Sequence, residues 1–176
     1  RNGMFLALAT VVLVLDGAAN AQEFSPALTH GVVFTADEYG SSISRVDLAT
    51  GKVVTVPATI HPHNIQISPD GTVLLAVGNA MSNDGAAQRG HSNGHAMAEM
   101  AGSEVPGELV LFDPQDMEAG PVARIAVGMH PAHVTTDRAG ERAFVTNAGD
   151  DTLSVVDLAS RTVVATRPAG EYPHGQ

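Results

Sequence analysis

Three short segments of this 176-residue chain carry histidine next to proline, and their imidazoles are the first candidates for chemistry. The segments are residues 61–64 (HPHN), 130–133 (HPAH) and 172–175 (YPHG). Clustered neutral imidazoles are good ligands for copper, zinc or iron, so a fold that gathers the segments would create a binding face. The candidate residues of that face are His61, His63, His130, His133 and His174.

The same segments also have a purely structural interpretation. Proline presets the backbone for a turn and glycine permits a positive φ, so a repeated loop could carry histidine only to bond its own backbone. The sequence favours this interpretation, because the residues recur where a structural repeat would need them.

A second candidate site lies in an insertion, residues 80–107, that is rich in Gly, Ala and Asn. Two histidines and two methionines stand within ten residues of this insertion. Imidazole binds either oxidation state of copper and thioether sulfur prefers Cu(I), so these four side chains predict copper as the cofactor. The alternative, which the sequence favours, is an exposed loop in which these side chains are incidental. The candidate metal ligands are His91, His95, Met97 and Met100.

Composition excludes several kinds of function. A net charge of −10 with 9 Lys and Arg gives no clustered cations for phosphates, so we expect no nucleic-acid partner. The absence of Cys removes thiolate sites and cysteine nucleophiles, and no nucleophile-elbow, zincin or nucleotide-binding motif occurs. The partner predicted for the binding face is an unidentified protein or small molecule.

The elements that would position these residues repeat along the chain. Runs from an Asn or Asp to an Asp occur at residues 37–47, 79–113 and 147–157, and the middle run contains the insertion. Pro131 and Pro173 are 42 residues apart, and such a period with four short strands is the signature of a β-propeller blade. The Asp at each run's end is typical of a turn cap rather than of acid–base chemistry.

Alternating short apolar runs and turn residues predict an all-β chain of four-stranded antiparallel sheets. Apolar residues on both faces of the strands ending at Asp47, Asp113 and Asp157 indicate sheets that lie between neighbouring blades. The predicted strands are residues 31–36, 42–48, 52–57, 64–68, 72–77, 108–112, 122–127, 134–136, 142–146, 152–158 and 162–166.

Residues 144–157 (FVTNAGDDTLSVVD) resemble the YVTN β-propeller repeat, with Phe144 in place of the usual Tyr. The resemblance extends to residues 172–175 and to residues 61–71, and it covers roughly Thr29 to the C-terminus. It implies a propeller of typically seven blades, usually exported in bacteria, with no common chemistry. Residues 137–140 read DRAG where the family has SPDG, which puts that turn type in doubt.

The predicted organisation is a signal peptide, residues 1–21, followed by a partial propeller, residues 22–176. The apolar run 4–15 is too short to span a bilayer, and residues 19–21 (ANA) form a cleavage site. We therefore expect a periplasmic or secreted protein without a membrane span after cleavage. About three blades cannot close a ring, so we expect the N-terminal portion of a longer protein, whose first blade lacks its innermost strand unless residues 24–28 supply it.

Three functions fit these observations. The first is an exported, non-enzymatic propeller that serves as a binding or scaffold module and captures a metal ion. The second is a periplasmic metalloenzyme or electron-transfer component, because the repeat is similar to propellers of nitrous oxide and haem d1 nitrite reductases, in which channel-mouth histidines serve the metal centre. The third is a lactonase-type hydrolase, which would need convergent carboxylates around a divalent ion.

Overall fold

The computed structural model describes residues 30–81 and 106–175, which form β-strands and one short 3-10 turn at Met117–Ala119. Within these residues no helix is both long enough and apolar enough to cross a membrane. The strands are β1 (Val32–Asp37), β2 (Ser42–Asp47), β3 (Val53–Pro57), β4 (Ile60–Ile67), β5 (Leu74–Ala80), β6 (Gly107–Phe112), β7 (Pro121–Ala126), β8 (Pro131–Thr136), β9 (Arg142–Asn147), β10 (Thr152–Asp157) and β11 (Thr162–Pro168).

The strands form three antiparallel sheets in which each strand pairs with its neighbour along the chain. The sheets are β1-β2-β3, β4-β5-β6-β7 and β8-β9-β10-β11. The described residues thus supply three strands of the first sheet and four of each other sheet. Strand β4 lies against both β1 and β8, so neighbouring sheets approach one another through these strands. The fold is about three blades of a β-propeller, as the sequence predicts.

The middle sheet is buried on both faces. On β6, Val110 and Phe112 pack against the first sheet, where they meet Ile43. The intervening Leu109 and Leu111 pack against the third sheet. Successive side chains of a strand point to opposite faces, so a strand without polar alternation fills two cores at once. Each fully buried aliphatic or aromatic side chain contributes roughly 1.5–3 kcal/mol.

Aspartates close the turns at the strand ends. Asp47 Oδ1 accepts hydrogen bonds from the backbone N–H groups of Ala49 and Thr50, and Asp157 Oδ1 accepts one from Ser160. The N–H of Thr50 is the largest cause that lowers the pKa of Asp47, and that of Ser160 does the same for Asp157. These carboxylates are turn caps, as predicted from the sequence.

The turn at residues 137–140 keeps the geometry of the turn at residues 68–71 despite its different sequence. In the first turn Gly71 has φ 74° and its N–H donates to the carbonyl oxygen of Ser68. In the second, Gly140 has φ 69° and its N–H donates to Asp137. Glycine at the left-handed position therefore decides the turn, and the residues before it vary.

Several predicted boundaries were wrong, and the largest error concerns the histidine segments. The sequence placed them in loops before strands 64–68 and 134–136, whereas β4 begins at Ile60 and β8 begins at Pro131. Pro62 and Pro131 are tolerated inside these strands because each lies on the edge strand of its sheet, where one side needs no ladder bond. Strand β5 also continues to Ala80 and β6 starts at Gly107, so the ends of the predicted insertion belong to strands.

We expect Phe112→Ala to lower the free energy of unfolding by about 3–5 kcal/mol, because it leaves a cavity between the first two sheets. Val164→Ala is the matched control, since Val164 is 55% exposed and should change stability by about 0.5 kcal/mol or less. Urea denaturation of both variants measures the difference. Equal losses for the two substitutions would contradict the stacked-sheet core.

Candidate metal centre

Three histidine rings from three successive histidine segments meet at one end of the sheets. The ring centroids of His63 and His133 are 6.2 Å apart, those of His63 and His174 are 5.2 Å apart, and those of His133 and His174 are 4.9 Å apart. One nitrogen from each ring lies within 4.8 Å of the other two, which is close enough for all three to bind a single ion. The structure therefore brings together three of the five predicted binding-face histidines.

A β-bulge in β4 and another in β8 set the direction of the His63 and His133 rings. In β4 the extra residue is His63, which follows Pro62, and in β8 it is Ala132, which follows Pro131. A bulge leaves its extra residue out of the ladder and turns the local side chains. His133 stands one position beyond the bulge, so it occupies a different place in its repeat from His63 and still reaches the same cluster.

The backbone of one sheet orients the ring of another. Nδ1–H of His63 donates to the carbonyl oxygen of Ala132 over 2.9 Å. A carbonyl can only accept, so this bond fixes the proton on Nδ1 and leaves the lone pair of the neutral ring on Nε2. Metal-binding histidines are commonly held in this way through their other ring nitrogen. His63 thus has the tautomer that a ligand requires.

Burial lowers the pKa of His133, and the nearby charges of His174 and His63 lower it further. A lowered pKa keeps the imidazole neutral, and only the neutral ring has a lone pair for a metal ion. His63 and His174 are exposed while His133 is half-buried. The cluster therefore combines one ring that resists protonation with two that solvent can reach.

A pocket of about 470 Å³ adjoins the cluster. His63 and His174 belong to its wall, so the pocket and the metal centre share two side chains. Residues from the β1–β2 and β9–β10 turns lie in the same wall as the histidine segments, so both sets of connections share one face. The lining residues are Glu38, His61, His63, Asn79, His130, Pro131, Ala132, Ala148, Gly149, Tyr172 and His174.

The other two predicted histidines, His61 and His130, line the pocket without joining the cluster. Nδ1 of His61 lies 2.9 Å from the hydroxyl oxygen of Ser41 and 3.3 Å from the carbonyl oxygen of Glu38. Nδ1 of His130 lies 3.2 Å from the side-chain nitrogen of Asn79. Both rings therefore contact the preceding sheet, His61 at the β1–β2 turn and His130 at β5, rather than their own backbone as the structural interpretation expected.

Glu38 and Asn79 are pocket residues that the sequence reasoning missed. The available signal was the repeat itself, because Glu38 follows Asp37 as Ala148 follows Asn147, and Ala148 also lines the pocket. The predicted ligands His91, His95, Met97 and Met100 lie outside the described residues, as does the predicted signal peptide, so both stay predictions.

The bulge of β4 depends on the absence of a side chain at Gly78. This residue pairs with Pro62, and a Cβ there would collide with the carbonyl oxygen of His61. A larger residue would push the β4 backbone away and with it the ring of His63. Glycine is required here for close approach rather than for its backbone dihedrals.

We expect stability to fall as the pH is lowered from about 6.5, the ordinary pKa of histidine. Because the pKa of His133 is lowered in the folded protein, the unfolded chain binds a proton at a higher pH than the folded chain does. The contribution of His133 to stability is therefore complete above about pH 6.5 and is lost as the pH falls toward the folded pKa. Denaturation from pH 5 to 8 should show a flatter profile for His133→Gln. The exposed His30→Gln serves as the control, and a profile unchanged by His133→Gln would refute the prediction.

We expect Gly78→Ala to cost about 1–3 kcal/mol of unfolding free energy, because the new methyl group overpacks the bulge. Gly170→Ala is a matched control, since no heavy atom lies within 4 Å of the added carbon. Thermal denaturation measures the cost, and histidine NMR shifts report movement of the His63 ring. If both variants match the parent, β4 does not approach β5 as described.

The fold has known structural counterparts. The chain is similar to a chain of hydrazine synthase from Kuenenia stuttgartiensis at 18% identity and a TM-score of 0.60, covering 89% of this chain and 40% of that one. It is similar to the WD40 repeats of RRP9 at 14% identity and a TM-score of 0.56, covering 78% and 35%. A protein described as a 6-phosphogluconolactonase from Bacteroides fragilis gives 15% identity and 0.52, covering 80% and 39%.

These similarities show the propeller fold, which hosts unrelated functions. The chain spans about 40% or less of the length of these structures. No family model and no curated protein matches the sequence. Function must therefore be argued from the site.

Proposed function

We propose that this chain is part of an exported β-propeller binding module that holds a divalent transition-metal ion through His63, His133 and His174. The observation that carries the proposal is the convergence of one nitrogen from each ring within 4.8 Å. Membership of the YVTN-repeat family and a periplasmic or secreted location belong to the same proposal. They rest on the repeat resemblance and on the signal-like residues 1–21.

The off-register position of His133 argues against a purely structural origin of the cluster. If the histidines were only part of the structural repeat, the histidine of β8 would stand at the bulge, as His63 does in β4, but the chain has Ala132 there. A histidine one position later reaches the same point by a different backbone route. Structural repetition does not require that arrangement, whereas a three-ligand site does.

Copper is the ion that this donor set favours. Imidazole suits copper, zinc, iron and nickel, and divalent affinity rises along the first-row series to a maximum at Cu²⁺. Three ligands leave at least one coordination position open, unlike the closed sets of structural zinc sites. We propose that His91, His95, Met97 and Met100 assist in copper capture, because in the sequence their segment follows the end of β5, where Asn79 lines the pocket.

The open coordination position also favours a second candidate, a periplasmic metalloenzyme or electron-transfer component. Catalytic metal sites keep such a position for water or substrate, and the pocket gives access to it. A lactonase-type hydrolase has less support. Among the described residues that line the pocket, Glu38 is the one carboxylate, so the convergent acidic ligands expected for that chemistry are missing there.

The test is isothermal titration of the protein with Cu²⁺ and Zn²⁺. We expect one ion per chain at the cluster, with Cu²⁺ bound more tightly than Zn²⁺. His133→Ala should weaken binding by about 100-fold or more, because even the loss of a supporting residue around a metal costs 10–100-fold. His30→Ala is the control for removing a histidine outside the cluster.

His174→Gln guards this test against misfolding, since His174 is exposed and its replacement should leave the fold intact. It should weaken metal binding while the unfolding transition stays unchanged. Undiminished Cu²⁺ binding in both cluster variants would overturn the proposal. If both cluster variants keep weak Cu²⁺ binding, replacing His91 and His95 as well should remove it, which would assign the residual binding to the insertion.

A further inference from the structure

The pocket beside the metal centre is large enough for a small molecule and leads directly to the metal ligands. Its volume of about 470 Å³ falls within the usual range for ligand pockets. Its wall includes His63 and His174, and both side chains are exposed. An exogenous ligand that fills the pocket would therefore reach the open coordination position of an ion held by these rings.

The side chains in the pocket wall favour cations over anions, whereas the charge of the bound ion itself attracts anions as well as neutral lone-pair donors. No Lys or Arg occurs among the described residues that line the pocket, and Glu38, a half-buried residue, is the acidic residue among them. Recognition of carboxylate or phosphate groups relies on cationic side chains, above all Arg. The whole chain carries a charge of −10, which repels anions and attracts cations at long range.

The hydrogen-bonding groups in the wall call for a donor. The nearest partner of His61 Nδ1 is the hydroxyl of Ser41 at 2.9 Å, which can donate or accept, so Nε2 of this ring presents either an acceptor or a donor. A carboxylate such as that of Glu38 offers acceptors. A molecule with N–H or O–H groups satisfies them, whereas a carboxylate offers only further acceptors.

We infer that the pocket admits a small amine to the open coordination position of the metal, and that Glu38 selects the amine against anions of the same size. The inference rests on the proposed metal site. A deprotonated amine unites the two properties that the site demands, a lone pair for the metal and N–H donors for Glu38. On binding, the nitrogen lone pair forms a bond to the ion, one water leaves, and the ammonium proton passes to solvent.

The experiment titrates copper-loaded protein with ethanolamine and glycolate, which match in size and differ in charge. Ethanolamine should bind more tightly than glycolate. Glu38→Gln should weaken ethanolamine binding by about fivefold to tenfold and strengthen glycolate binding, because it removes charge and keeps shape. Glu171→Gln is the matched control, an exposed carboxylate outside the pocket wall that should change neither affinity.

Separate readouts distinguish the failure of this inference from failure of the metal site. Copper stoichiometry is measured first, and its absence would refute the proposed function alone. With copper bound, equal or tighter binding of glycolate, or an ethanolamine affinity insensitive to Glu38→Gln, would overturn the amine inference. Ethanolamine should also bind the copper-free protein at least about tenfold more weakly, because the dative bond is then lost, and equal binding would contradict coordination.

Discussion

Burial of the middle sheet on both faces is the constraint on which the rest of the structure depends. Strand β6 can fill two cores only if a sheet lies on either side, which requires the radial stacking of whole sheets. That stacking brings β4 against β1 and β8. The edge strands that carry His63 and His133 are therefore held close together by apolar packing to which they contribute Ile60 of β4 and Val134 of β8.

Two local features, the bulges in β4 and β8 and one hydrogen bond between sheets, then position the histidines. Proline is accepted in β4 and β8 because they are edge strands, and the bulge after each proline turns the following side chains toward the neighbouring blade. The hydrogen bond from His63 to the carbonyl oxygen of Ala132 then joins two sheets and places a proton on Nδ1 of the ring. The histidines are thus positioned by backbone geometry as much as by their place in the sequence.

The sequence predicted the fold well and the site in part. Period, turn chemistry and two-sided apolar strands suffice for a propeller, because they report local geometry and burial. The bulges at His63 and Ala132 were missed, since a bulge reflects how two strands pair and one strand's residues do not reveal it. Five histidines were therefore treated alike, and only the structure separates His61 and His130 from the convergent three.

The one-residue offset of His133 makes the histidine cluster differ from a simple repetition of one blade. Blades built from one repeat have rotational pseudo-symmetry, and residues at equivalent positions would present equivalent groups around the axis. Here the three-imidazole cluster mixes two repeat positions, so it breaks that symmetry. An added blade with histidine at the His63 position would therefore enlarge the scaffold without recreating this mixed set of positions.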